Sequence, residues 1–576
     1  MRINVVFFAV LLMVGPTGLT GQEIKPDHVW KFAAGDELKW ALPGFDDSSW
    51  KTISTLSGWE NQGYPDLDGF GWYRKQVVIP ATMAAPVTKY GGIMVKYDNA
   101  DDADEFYFNG QLIGATGTMP PSYQSKYGEK RSYIVPARLI RFGQPNLMAV
   151  RVYDGGGGGG LLTPQTTLRA MSAADAISVS YSFPANEWVF KDGEPQYMEL
   201  KLKNTQKAKA SLNIVVLLTT DKRLAVDSLV IPVKLGSRQE KIQRVNFKLP
   251  EPGFYRFKLY LEKDEAASDA HQFNIGYEPE KVLSPVDARP DFDAFWEKSL
   301  ADLALVKPDF RMTLIPERST GAKNIYHVEM MSYLHTKIEG YYAAPKAAGR
   351  YPAIAVYMGY GSDAYFPHSD GNPGFCEFIL SVRGQGIQKP VSAYGKWINW
   401  GLAAKETYYY RGAFLDLVRA IDFLVSRPEV DADKIVAEGG SQGGAFTLAA
   451  CALDPRIKAA APTIPFLSDY RDYFEIVHWP ASDVAEYVNN TPHADWEKVY
   501  EVLSYFDIKN LAPRIKCPVY MAVGLQDEVC PPHTNFAGFN NIAAPKKWVI
   551  YRDQAHSTPA TWYEERMKFF RSIIKY

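Results

Sequence analysis

Ser441 has the most chemically suggestive setting in the chain. It stands in Gly439-Gly440-Ser441-Gln442-Gly443-Gly444, between a strand-like run that starts at Lys434 and a helix-like run from Gln442 to Leu453. A serine hydroxyl is a weak nucleophile until a base takes its proton. It must also be held clear of its own chain, and a strand–turn–helix of the pattern G-x-S-x-G does this. Side chains two residues before and after the serine would collide in so sharp a turn. Gly439 and Gly443 are therefore what the sterics demand. Glycine patterns of this length also occur in plain tight turns. The strand and helix on either side are what distinguish this one.

The base needs an orienting acid, and both are expected just after strands. Cys517 to Gly524 reads as a buried strand, with Asp527 in the loop that follows. Lys547 to Tyr551 reads as another, with His556 behind it, and an amphipathic run from Trp562 to Ile574 closes the chain. The order Ser, Asp, His at successive strand ends is that of α/β-hydrolases, whose chemistry is acyl transfer through serine. Glu528 and Asp553 are rival acids. His533 is a rival base, but it shares a loop with Asp527 instead of following the last strand.

The 576 residues exceed one domain. Lys and Arg number 63 against 65 Asp and Glu, which leaves no global basic footprint for nucleic acid. Thirteen Trp and 35 Tyr suit sugar-binding surfaces, but aromatics equally fill β-sandwich cores. Met1-Arg2, the apolar run Val5 to Val14 and the small residues around Gly18 to Gly21 predict a signal peptide over residues 1–21. Export to the periplasm or the exterior follows from it. No other stretch is long and apolar enough to be transmembrane. The four Cys fit no metal-binding spacing. Export would permit disulfides, but the sequence does not pair them.

Residues 22–170 carry short β-rich runs with frequent turn residues, including the hairpin signal Asn109-Gly110. The motifs FDDSSW, WYRK, DEFYFNGQLIG and NLMAVRVYD, in that order, resemble the galactose-binding-like jelly roll of glycoside hydrolase family two enzymes and sialate O-acetylesterases. Gly155 to Gly160 reads as a flexible or close-packed loop, since no phosphate-cradling context follows. Residues 171–278 alternate with period two, as in Met198, Leu200 and Leu202, and predict an immunoglobulin-like sandwich. With no convergent His or carboxylate cluster, its default role is a spacer. From about 279 onward strands alternate with helices, which implies a mostly parallel sheet covered on both sides.

The C-terminal part, over nearly all of residues 285–576, resembles carbohydrate esterase family seven, the acetyl xylan esterases and cephalosporin C deacetylases. The carrying residues are Arg383-Gly384-Gln385, Tyr408-Tyr409-Tyr410-Arg411, the Ser441 motif, Gly524 to Pro532, and the opening Asp291 to Trp296. The resemblance implies the triad Ser441, Asp527 and His556. It also implies an oxyanion hole made by the backbone N–H groups of Tyr360 and Gln442. Three positions depart from the family's pattern. Ser557 follows the base where the family has Glu. Met358 stands where His precedes the oxyanion Gly-Tyr. Ser381 stands where an acid lies two before the Arg of RGQ. A buried Arg383 needs partners and is expected to brace loops, not to touch substrate.

The expected fold is multidomain, with two N-terminal all-β sandwiches followed by an α/β-hydrolase domain over residues 279–576. The expected activity is an exported serine esterase that deacetylates polysaccharide or oligosaccharide. Its partner is an acetylated carbohydrate, not nucleic acid, and it uses no cofactor or metal. Tyr360, Phe466 and Tyr470 are expected to wall a small acyl pocket. The rival readings are a prolyl-oligopeptidase-like peptidase, a general carboxylesterase, and a non-catalytic carbohydrate-binding protein.

Overall fold

The computed structural model describes residues 23–576, apart from residues 66, 157, 206–208, 264–265, 268–269 and 368–371. The leader expected over residues 1–21 lies outside the described residues. Among the described residues no helix is long and apolar enough to cross a membrane.

The front module is a sandwich of a six-stranded and a four-stranded sheet. Its core is aromatic: Trp30, Trp59 and Trp72 are fully buried. These tryptophans fill the interior and cannot serve as a sugar platform. Asn109 and Gly110 have φ of 48° and 86° and join two antiparallel strands, as a type I′ turn requires. In the glycine-rich loop a Cβ on Gly159 would lie 2.4 Å from the Trp59 ring, so that glycine is there for close packing.

The second module pairs a three-stranded with a six-stranded sheet. Met198, Leu200 and Leu202 all point inward, as their period-two spacing predicts. The spacer expectation does not describe how this module sits. Val189 and Phe254 belong to the hydrolase core, and the rings of Phe254 and Phe536 lie 5.7 Å apart.

The third module is built on a nine-stranded sheet. Its strands are β1 (Arg311–Leu314), β2 (Lys323–Ser332), β3 (Thr336–Pro345), β4 (Tyr351–Tyr357), β5 (Cys376–Ser381), β6 (Val430–Gly440), β7 (Ile457–Thr463), β8 (Val519–Gly524) and β9 (Lys546–Tyr551). Their spatial order is β1-β2-β3-β5-β4-β6-β7-β8-β9. The first three strands pair antiparallel, and from β5 onward the sheet is parallel. Such a sheet is covered on both faces. Helices α1 (Phe292–Ala304), α2 (Tyr409–Ser426) and α3 (Gln442–Leu453) join the core that contains Ala355, Tyr357 and Ala437. The C-terminal helix, Thr561–Ile574, packs Trp562, Met567 and Phe570 against Ile354, Val356 and Val436. Alternate residues of β4 and β6 thus feed opposite cores, so the central strands are apolar on both sides.

Candidate active site

Ser441 sits between β6 and α3 with φ 58° and ψ −121°. Holding an L-residue in so sparse a region costs about 1–3 kcal/mol. A Cβ on Gly443 would lie 2.0 Å from the Tyr357 carbonyl oxygen, and one on Gly439 would lie 2.5 Å from that of Gly443. Strand β4 and helix α3 therefore meet backbone to backbone. The Ser441 N–H donates to the Thr463 carbonyl at 3.0 Å, and the Ser441 carbonyl accepts from Ala445 and Phe466. These bonds pin the turn on both sides.

Asp527 is buried just beyond β8. Its Oδ1 accepts the N–H groups of Val529 and Cys530 at 2.8 Å each, and its Oδ2 lies 2.9 Å from His556 Nδ1. The rival acids are engaged elsewhere: Glu528 pairs with Arg256, and Asp553 with Arg552. His533 points the other way. Its ring lies 2.8 Å from Asp221 Oδ2 and 3.0 Å from Asp472 Oδ2. Burial would lower its pKa, but the two carboxylates outweigh that and push it up to about 10. An imidazolium cannot accept a proton, so His533 is unsuited to be the base.

The contact between nucleophile and base is not closed. Among the described residues no hydrogen bond joins Ser441 to His556, and Ser441 Oγ lies 3.8 Å from Cys530 Sγ. Such contacts are often loose until substrate binds. Burial, and then the Asp527 carboxylate, push the Cys530 thiol well above its usual range, so it stays protonated. Sequence reasoning missed Cys530. It was visible only as a neighbour of Asp527, and the fold alone brings it beside Ser441.

The N–H of Gln442, first residue of α3, has no intrahelical acceptor. Tyr360 follows β4. Gln385 connects the two segments. Its Oε1 accepts from the Gly361 N–H and from Gln442 Nε2, both at 3.1 Å, and its Nε2 donates to Tyr409 Oη at 2.9 Å. Tyr410 Oη donates to Gln442 Oε1 at 2.9 Å. The amide pair of Gln385 and Gln442 thus ties the elbow to the loop that carries Tyr360. Gly384 has φ 70°, and a Cβ there would strike the Tyr394 ring. Arg383 forks onto Asp416 of α2 at 2.9 and 2.7 Å, with both side chains buried. This bidentate pair braces the motif from within. Asp416 was also missed, although an acid within an apolar helix face is a signal for a buried cation.

The Tyr360 ring stands edge-on to Trp397 and Trp479, 5.2 Å from each. Phe466 and Tyr470 are buried. Ser557 Oγ donates to Gln554 Oε1 at 2.7 Å, within the base loop. Among the described residues two groups place potential cation ligands within 4.8 Å of one another, Asp469 with Asp472 and His533, and Asp101 with Asp102 and Asp154. In the first, the protonated His533 already supplies the positive charge. In the second, burial and the neighbouring Asp102 push the Asp101 carboxyl up to about 7. All four cysteines are buried and free.

A mostly parallel sheet, a strained serine at its central strand end, and an Asp–His pair beside it are those of the α/β-hydrolase type, and the family match below makes it a carboxylic ester hydrolase. The acetyl xylan esterase (AXE1) family model matches residues 277–573, and the chain belongs to that family. Over 429 residues the chain is 26% identical to acetyl esterase Axe7A of Xylanibacter ruminicola, covering 70% of this chain and 94% of that one. It is 33% identical to an acetyl xylan esterase from Paenibacillus sp. R4, covering 51% of this chain and 98% of that one, with a TM-score of 0.49. Over 135 residues it is 26% identical to beta-galactosidase BoGH2A of Bacteroides ovatus, which is 21% of this chain and 14% of that enzyme. The N-terminal region resembles the β-sandwich domains of glycoside hydrolase family two.

Proposed function

We propose that this chain is an exported serine esterase that removes acetyl groups from polysaccharide or oligosaccharide through an acyl-enzyme. The observation that carries this reading is the buried Asp527, 2.9 Å from His556, at the same sheet end as the strained Ser441. His556 Nε2 takes the proton of Ser441 Oγ as the oxygen attacks the ester carbonyl. Asp527 holds the imidazole by Nδ1 and stabilises its charged form. The N–H groups of Gln442 and Tyr360 receive the oxyanion, and removing one such donor typically costs about 10²–10³ in kcat. His556 then gives its proton to the sugar oxygen as the C–O bond breaks, so that the sugar leaves as the free alcohol. Water repeats the sequence on the acetyl-serine, releasing acetate and restoring Ser441.

Carbohydrate as the alcohol partner is supported by the names of the related esterases and by the aromatic rings of Trp397 and Trp479 beside the oxyanion loop. Export rests on the leader-like residues 1–21. The test is acetate release from a panel of acetylated polysaccharides, with dipeptide amides as the alternative substrates. Acetate from at least one polysaccharide, and no amide cleavage, is expected. Amide cleavage without acetate release would replace the reading with a peptidase.

A further inference from the structure

Gln526 immediately precedes Asp527, and its side chain is held at both ends from outside its own loop. Its Oε1 accepts the backbone N–H of Asn274 at 2.7 Å. Its Nε2 donates to the Asn274 carbonyl at 3.2 Å and to the Arg552 carbonyl at 2.8 Å. In return, Asn274 Nδ2 donates to the Leu525 carbonyl at 3.1 Å. Asn274 lies on the strand His271–Tyr277 of the second sandwich. Leu525 to Asp527 form the acid loop, and Arg552 to His556 form the base loop. The backbone of Gln526 also donates to the Gln554 carbonyl at 2.9 Å. One glutamine therefore joins three segments, and within the hydrolase domain its Oε1 has no donor among the described residues.

Other contacts of the sandwich reach the same two loops. Glu187 Oε2 accepts the N–H of Arg552 at 3.1 Å, and Arg256 lies 3.4 Å from Glu528. A spacer would need none of these. Asp527 and His556 work only at hydrogen-bond distance, and a misplacement of about 1 Å can cost about 10²-fold in rate.

We propose that the second β-sandwich is an integral part of the active site. Asn274 and Gln526 act as its positioning pair, setting Asp527 against His556. This rests on the triad proposed above. Neither residue touches the reacting atoms; they act through the two loops.

The test uses full-length Gln526→Ala, Asn274→Ala and the double variant on 4-nitrophenyl acetate. Gln526→Ala is expected to lower kcat about 10–100-fold and Asn274→Ala about 3–10-fold, with KM within about twofold. The two variants remove different bonds of one junction, because Gln526 holds the Asn274 backbone while Asn274 Nδ2 holds the Leu525 carbonyl. The double variant is therefore expected to fall below Gln526→Ala but by less than the product of the two losses. The acid limb of the kcat/KM profile moves to lower pH, because a displaced carboxylate supports the imidazolium less. A merely structural contact would lower the melting temperature and leave that limb in place. Wild-type kcat in both single variants, an unmoved acid limb, or losses that multiply in the double variant would overturn the proposal. Should Asn274→Ala not fold, Asn274→Asp keeps the side-chain shape and removes the donor to Leu525, and the same outcomes apply. Ser441→Ala separates the two levels. If it stays active, the triad reading fails. If it is inactive while the Asn274 and Gln526 variants match wild type, only the positioning role fails.

Discussion

The Sδ of Met358 lies 3.7 Å from the Oγ of Ser381, and both side chains are buried. These are two of the three positions at which the sequence resemblance led us to expect other residues, a histidine and an acid. The two positions form one contact between two neutral groups. A charge buried here without its partner would pay several kcal/mol of desolvation. Ser381→Asp alone is therefore expected to destabilise the protein by about 3 kcal/mol. Adding Met358→His to it is expected to recover at least half of that. Urea melts of wild type, Ser381→Asp, Met358→His and the double variant measure the coupling, and strictly additive changes would show that the two positions do not act as a pair.

Ser441→Ala is expected to lower kcat by about 10⁴–10⁶ while the fold survives, because only binding and the oxyanion hole remain. His556→Ala is expected to be equally inactive. His533→Ala is expected to keep most of the turnover, since its imidazole is committed to Asp221 and Asp472. Stopped assays on 4-nitrophenyl acetate check all three. A tenth of wild-type turnover in Ser441→Ala would end the nucleophile assignment, and inactivity confined to His533→Ala would move the base.

His533 also links the second sandwich to the hydrolase domain, through Asp221 on one side and Asp472 on the other. Its pKa in the fold, about 10, stands above the ordinary histidine value of 6.5. A raised pKa contributes stability below pH 6.5, and that contribution is lost as pH rises toward 10. Wild type is therefore expected to lose more stability between pH 7 and pH 10 than His533→Gln does. Melting temperatures at half-unit intervals read the difference, and parallel curves would count against a protonated His533.

The acyl pocket is expected to favour acetate over butyrate esters by at least tenfold in kcat/KM, equivalent to about 1.4 kcal/mol. Phe466 and Tyr470, expected to wall that pocket, are buried, and the Phe466 N–H holds the Ser441 carbonyl at 3.0 Å, so Phe466 moves only with the elbow. Overpacking such a wall costs about 1–3 kcal/mol. Equal rates on 4-nitrophenyl acetate and butyrate would point to a general carboxylesterase.

Much of this protein was legible in the chain because the signals are local. Period-two alternation marked the sandwich strands, and Asn109-Gly110 marked a hairpin. The glycines around Ser441 marked a turn that no other residue could make, and helix α3 runs over the same residues, Gln442–Leu453, as its sequence pattern. Asp527 and His556 could be singled out because a strand end is itself a local pattern. What only the tertiary structure decided is which side chains meet. Gln385 reaches Gln442 across 57 residues, Cys530 comes beside Ser441 across 89, and the Gln526 side chain grips the Asn274 backbone across 252. Polar side chains of these types satisfy themselves equally well with water or with many other partners. Their sequence neighbours carry no record of the choice, which is made only when the packed sheet and the docked sandwich exclude water from around them.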